Sequence, residues 1–242
     1  MPIRAVLWDL DDTLFDYTGA DTAGLARLLT EEGIGARYGT PAEALESWRL
    51  ATARHWARFE AGEVDFPGQR RDRVRDFLAR PALTDPAAEE WFARYLAHYR
   101  AAWALFPDAL PALDGLSAGY RHAVLSNSSL TVQEGKLRRL GIRDRFEALL
   151  CAAELGVSKP EAAAFLAGCE ALGLPPEEVA YVGDQPETDA RGARDAGLLA
   201  VWLDRTGAAE PVPAGAHRIT GLAELPGVLG LDTRFGARSD IR

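Results

Sequence analysis

Residues 5–15 read AVLWDLDDTLF. Ala5, Val6, Leu7 and Trp8 form an unbroken apolar run of the kind that fills a strand buried on both faces, and the residues that follow include the carboxylates Asp9, Asp11 and Asp12. A strand that reads as core and then ends in negative charge points to a site at its carboxyl end. Short apolar runs bounded by polar residues or glycine occur at IRAVLW, HAVLS, ALLCA, EVAYVG and LLAVWL, with helix-like segments between them. That alternation predicts βα units and a parallel sheet.

From Asp16 to Phe106 the alternation stops, and only amphipathic patterns remain. Trp48, His55, Trp56 and Phe59, and again Trp91, Tyr95, Tyr99 and Trp103, recur at roughly helical spacing. The pattern predicts a helical insertion of roughly 90 residues, the size of a small domain, with Gly19 and Pro107 as breakers near its ends. The expected organisation is an α/β core at 1–15 and 107–230, a helical unit at 16–106, and a tail at 231–242 whose low apolar content predicts fraying. The aromatics of the insertion are read as bundle core rather than pocket lining. Arg70, Arg71, Arg73 and Arg75 are read as a solvated helix face, with anion binding by one of them as the alternative.

The chain has 242 residues, 27 Lys and Arg against 36 Asp and Glu, and a net charge of −9. Such a balance argues against general binding to nucleic acid or to an anionic membrane surface, so an anionic ligand needs a local positive site. Cys151 and Cys169 do not make a disulfide framework or a metal-type spacing, which favours a reducing, cytoplasmic setting. No apolar run approaches the ~18 residues of a membrane span, and Asp9 breaks the N-terminal one. Lysine occurs only at positions 136 and 159 in a chain otherwise basic through arginine, which makes each lysine easier to interpret.

Parallel sheets bind ligands beyond the carboxyl ends of their strands. Asp9, Asp11 and Thr13, then Ser126 and Asn127, then Gly183, Asp184 and Asp189 are therefore expected to gather at one edge, with Lys159 before a helix between them. Carboxylates crowded together raise one another's pKa unless a cation sits among them. The candidate ligands Asp9, Asp11 and Asp184 are all oxygen donors, which favours Mg²⁺. A carboxylate nucleophile, a second carboxyl, a hydroxyl, a lysine and a metal together suit phosphoryl transfer through an aspartyl phosphate. In that reading Asp9 attacks phosphorus and Asp11 protonates the leaving oxygen, then takes a proton from the hydrolytic water. Ser126, Asn127 and Thr13 hold phosphoryl oxygens, Lys159 neutralises growing charge, and Asp189 orients a metal-bound water or Lys159.

The ordered set DLDDT, VLSNS, SKPE and VGDQPETD resembles the four motifs of the haloacid dehalogenase superfamily, from the first strand to about Asp204. The resemblance implies a Rossmann-like core with a mobile helical cap inserted between the first and second motifs, and Mg²⁺-dependent phosphatase chemistry. The segment HWARFEAGEVDFPGQRRDRV is similar to caps of phosphatases acting on nucleotides or sugar phosphates. Asp12 stands where many members carry glycine; it is read as tolerated, or as capping the following turn. The expected partner is a small phosphorylated metabolite, and the expected state a monomer or homodimer.

Relatives that use this framework differently separate by residue. Haloacid dehalogenases lack the acid at the position of Asp11 and need no metal, so Asp11 and Asp184 disfavour carbon–halogen cleavage. Phosphonoacetaldehyde hydrolases need a cap lysine, and no lysine lies between Asp16 and Phe106. A phosphosugar mutase shares the motifs and stays an alternative, as does a non-catalytic binding or regulatory module. The module reading predicts loss of at least one of Asp9, Asp11, Lys159 or Asp184, all of which are present.

Overall fold

The computed structural model describes residues 2–207 and 211–230. The expected tail, 231–242, lies outside the described residues. In chain order the elements are β1 (Ala5–Trp8), α1 (Tyr17–Glu32), α2 (Pro41–Glu60), α3 (Phe66–Phe77), α4 (Asp85–Ala101), α5 (Ala109–Leu116), β2 (Arg121–Ser126), α6 (Leu130–Arg139), β3 (Ala148–Cys151), α7 (Ala152–Leu155) and α8 (Ala162–Leu172). There follow β4 (Val179–Gly183), a π-helical turn at Pro186–Arg191 that runs into α9 (Gly192–Asp195), β5 (Leu199–Leu203) and β6 (His217–Ile219).

The strands form one parallel sheet in the order β3-β2-β1-β4-β5-β6. Its centre is apolar on both faces. Ala5 and Leu7 pack with Ala123, Leu125, Tyr181 and the α8 residues Phe165 and Cys169, while Val6 and Trp8, which point the other way, are equally buried. Gly168 permits the close seat of α8, since a Cβ there would lie 2.5 Å from a Leu7 methyl. The α8 helix ends where expected, with Gly173 in the left-handed region at φ 61°. The sequence reading missed β6: His217, Arg218 and Ile219 make no apolar run, because an edge strand need bury only one side.

The described residues divide into two compact units, one of those up to 16 with those from 104 on, and one of residues 17–103. Compared with the expected boundaries, residues 104–106 fall in the first unit: Leu105 bridges to Phe15, and the Phe106 N–H donates to the Leu14 carbonyl at 2.9 Å.

The second unit is all helical. A capping box opens α2, with the Glu43 N–H donating to Thr40 Oγ1 (3.2 Å), the Thr40 N–H to Glu43 Oε2 (2.7 Å), and Pro41 at the first helical position. Trp48 lies at its centre, with ring centroids of Phe77, Trp91 and Tyr95 at 5.2, 5.5 and 4.7 Å. The aromatics at 48, 91, 95 and 99 are thus bundle core, whereas Trp56 is partly exposed.

The arginine row on α3 differs from the expected solvated face. Arg73 lies over the Trp48 and Phe92 rings (4.3 and 4.7 Å), and Arg70 over Phe66 and Phe92 (4.2 and 5.0 Å). Arg71 pairs with Glu89 at 2.9 Å, and Arg75 with Asp72 at 3.1 Å. The reason is compositional: α3, FPGQRRDRVRDF, has few apolar side chains, so arginine stems and guanidinium planes cover the aromatic core instead. Among the described residues, no helix is long and apolar enough to cross a membrane.

Candidate active site

Three adjacent strands, β2, β1 and β4, bring their carboxyl ends to one edge of the sheet. The chain winds outward from β1 to β3 and then returns to β4 on the other side, so β1 and β4 flank the switch point where such sheets open a crevice. Asp9 is the first residue beyond β1, Ser126 the last of β2, and Asp184 the first beyond β4. The Asp9 N–H donates to the Val182 carbonyl at 2.9 Å, which pins the start of the acidic loop to β4.

Lys159 is the hub of this edge. Its buried ammonium donates to Asp9 Oδ1 (2.7 Å), Asp189 Oδ1 (2.8 Å) and the Tyr181 hydroxyl (2.7 Å), which uses all three of its hydrogens. The Tyr181 hydroxyl in turn donates to Asp189 Oδ1 at 3.0 Å, and the Gln185 N–H donates to Asp189 Oδ2 at 3.0 Å. The π-helical turn carries Asp189 back beneath β4, close enough that a Cβ on Gly183 would fall 2.4 Å from its carboxyl group. Glycine at 183 is therefore a steric requirement of the site.

The electrostatics are those of an acidic cluster with one internal cation. Burial pushes the Asp9 carboxyl up to about 7, against the pull of Lys159 and with the further push of Asp189 and Asp11. Burial, then Asp9 and Asp189, push Asp184 up to about 9. Burial works against the Lys159 ammonium, but Asp189 and Asp9 outweigh it and hold its pKa above the ordinary lysine value. One ammonium is too little positive charge for three carboxylates.

Oxygens of Asp9, Asp184 and Asp189 lie within 4.8 Å of one another. Asp184 Oδ1 is buried without a hydrogen-bond partner, and among the described residues none donates to the second oxygen of Asp9. These all-oxygen donors fit a small hard divalent cation held by Asp9 and Asp184. Both oxygens of Asp189 are already occupied, so its role is to hold Lys159 and the turn.

The remaining expected residues fall as follows. The Asp11 carboxylate was expected among the metal ligands, but it is turned to α6, where Lys136 Nζ (2.5 Å) and Gln133 Nε2 (2.9 Å) donate to its two oxygens. It lies outside the cluster of Asp9, Asp184 and Asp189. Ser126 Oγ accepts from Gln133 Nε2 at 2.7 Å. Thr13 is fully buried with an unpartnered hydroxyl. Asn127 was expected to meet phosphate; its amide instead donates to the Lys159 carbonyl and accepts from the Lys159 N–H, both at 2.8 Å. It fixes the peptide that carries the lysine.

Sequence reasoning missed Tyr181, Gln133 and Lys136 as neighbours of the site. A tyrosine inside an aliphatic strand is one available signal, because a phenol buried at that depth needs a hydrogen-bond partner. Lys136 has its own signal in being one of two lysines.

Comparison with known proteins agrees with this geometry. A sequence profile described as haloacid dehalogenase-like hydrolase matches residues 3–197. The chain is 33% identical over 222 residues to a phosphoserine phosphatase of Thermus thermophilus, covering 84% of this chain and 89% of that protein. It is 30% identical over 207 residues to a glyceraldehyde 3-phosphate phosphatase of Methanopyrus kandleri, covering 84% of each. Its fold matches that of the hydrolase YfnB from Bacillus subtilis with a TM-score of 0.75 at 21% identity, covering 95% of this chain and all of that one. The profile match and the identity to both phosphatases, together with the Asp9, Lys159 and Asp184 edge of a 3-2-1-4-5-6 sheet, show that the chain belongs to the haloacid dehalogenase-like hydrolase family.

Proposed function

We propose that this hydrolase is a phosphatase of small phosphorylated metabolites, working through an aspartyl phosphate on Asp9 with Mg²⁺ at Asp9 and Asp184. The observation that carries the reading is Asp9 itself: a buried carboxylate at the strand end, oriented by Lys159 at 2.7 Å from one of its oxygens. The named activities of the two curated relatives support the substrate class. Mg²⁺, when bound, supplies charge neutralisation for the phosphoryl group.

The chain's own residues account for the rest. Gln133 donates to the Ser126 oxygen, so the Ser126 hydroxyl hydrogen is left to point at a phosphoryl oxygen. The unpartnered Thr13 hydroxyl is a second donor. Lys159, held by Asp189 and Tyr181, keeps the Asp9 carboxylate oriented for in-line attack. Asp11 gives a proton to the leaving alkoxide and then takes one from the water that hydrolyses the acyl phosphate.

The test is inorganic phosphate release from a panel of amino-acid, sugar, triose and nucleoside phosphates, with Mg²⁺ or chelator, by wild type and Asp9→Asn. The expected outcome is Mg²⁺-dependent release by wild type and a loss of at least ~10³-fold in Asp9→Asn. Folded wild-type protein silent across the panel would sink the phosphatase reading and return weight to a mutase or a binding module.

A further inference from the structure

Lys136 is the lysine that the phosphatase reading leaves without a role. It lies on α6 with 3% of its surface exposed, its Nζ 2.5 Å from Asp11 Oδ1 and 4.8 Å from the centroid of the Phe15 ring. One turn earlier on the same face, Gln133 is fully buried, and its amide nitrogen donates both to Asp11 Oδ2 (2.9 Å) and to Ser126 Oγ (2.7 Å). The amide orientation follows from charge. Turned the other way, Gln133 Oε1 would face the Asp11 carboxylate; as it stands, that oxygen is buried with no partner.

Two polar side chains taken this far out of water are costly unless their contacts are needed. The chain uses arginine at every basic position but two, and the compact ammonium suits a single carboxylate oxygen in a closed space where a guanidinium fork does not. Asp11 stands in a short loop beside Asp9, whose negative charge repels its carboxylate. With no donors on α6, that repulsion would turn Asp11 outward to solvent.

We propose that Gln133 and Lys136 are positioning residues for Asp11. From one face of α6 they fix both oxygens of its carboxylate, and Gln133 ties that carboxylate to the Ser126 hydroxyl. The proton-transfer group and a phosphate donor are thereby set by one helix. This inference rests on the reading of Asp11 as acid and base.

The experiment compares two monoesters, an alkyl phosphate whose leaving alkoxide needs a proton and p-nitrophenyl phosphate, whose phenolate leaves without one. Wild type, Asp11→Asn, Lys136→Met, Gln133→Met and the double variant Asp11→Asn/Lys136→Met are assayed, with folding checked by circular dichroism. The expected result is a kcat loss for Lys136→Met that is at least ~10-fold larger on the alkyl than on the aryl ester, in the direction set by Asp11→Asn. In the Asp11→Asn background Lys136→Met adds little further alkyl-ester loss, because its effect passes through Asp11. Gln133→Met shows the same ester bias and also raises KM on both esters through Ser126. Equal losses on the two esters, or losses that multiply in the double variant, overturn the inference. If Lys136→Met does not fold, Lys136→Gln is read by the same ester ratio. Wild type inert on both esters would instead remove the phosphatase reading, and Asp11→Asn without ester bias would remove the acid role.

Discussion

Asp12 has φ 60°, in the left-handed region that a side chain normally disfavours by ~1–2 kcal/mol per residue. Its N–H donates to the Phe15 carbonyl at 2.7 Å, closing the loop that carries Asp11. Aspartate, a short polar residue, is at ease in that region, which accounts for its place in the loop. His122 raises a separate question, because it is buried on β2 beside β1 and accepts from Trp8 Nε1 at 3.0 Å through Nδ1. Burial pushes its pKa from 6.5 down to about 4. The unfolded chain therefore takes up this proton first as pH falls, so the stability present above 6.5 is lost progressively towards 4, by at most about 3 kcal/mol. His122→Asn keeps an acceptor for Trp8 and cannot titrate. In urea unfolding, the wild type should lose stability relative to this variant between pH 6.5 and 4; parallel curves would refute a buried neutral histidine.

At the scale of elements, the site depends on close approaches that only glycine allows. Gly183 leaves room under β4 for the Asp189 carboxyl, and Gly168 seats α8 against Leu7 of β1. In the helical unit, Gly24 plays this part between α1 and α4: a Cβ would lie 2.7 Å from the Tyr99 nitrogen and 2.8 Å from its Cα. Helix propensity by itself favours alanine here by about 1 kcal/mol. Overpacking against a rigid backbone outweighs that, so Gly24→Ala should destabilise by ~1–3 kcal/mol in chemical denaturation. A stabilised variant would show that the two helices do not approach so closely. A buried polar knot lies nearby within the same unit, where Asp21 accepts from Trp48 Nε1 (3.2 Å) and the Tyr95 hydroxyl (2.5 Å) and holds Arg49 at 3.7 Å.

At the scale of the molecule, charge and folding are linked through the site. Asp9 and Asp184 have pKa values raised above their unfolded value of 3.8, so without a cation the folded state binds protons that the unfolded chain releases, and this cluster costs stability as pH rises from about 4. Mg²⁺ should therefore raise Tm, by an amount equivalent to about 2.7 kcal/mol at a hundred times its Kd. The gain should be larger at pH 8 than at pH 5 and be lost in Asp184→Asn. Scanning calorimetry showing no Mg²⁺ effect on wild type at either pH would argue against a cation at these residues.

The strand-and-helix alternation, the helical insertion and the acidic strand end were legible in the sequence because each is written locally: a buried parallel strand is a run of apolar residues, and its active edge is whatever polar residue comes next. Asp9 and Asp184 were legible for the same reason, Lys159 as one of two lysines in an arginine-rich chain, and Asp189 from its place in VGDQPETD. β6 was not, because a charged three-residue edge strand has no local signature. Tyr181 read as core because the hydroxyl's partner, Lys159, lies 22 residues away in the chain. Gln133 and Lys136 had no place in the sequence reading of the site because what they hold, Asp11, is 122 and 125 residues distant. Residue type and spacing determined which groups would stand at the edge of the sheet. Only the tertiary structure decided which way each carboxylate turns, because that depends on donors brought alongside by long-range packing and on the repulsion between charges that burial makes strong.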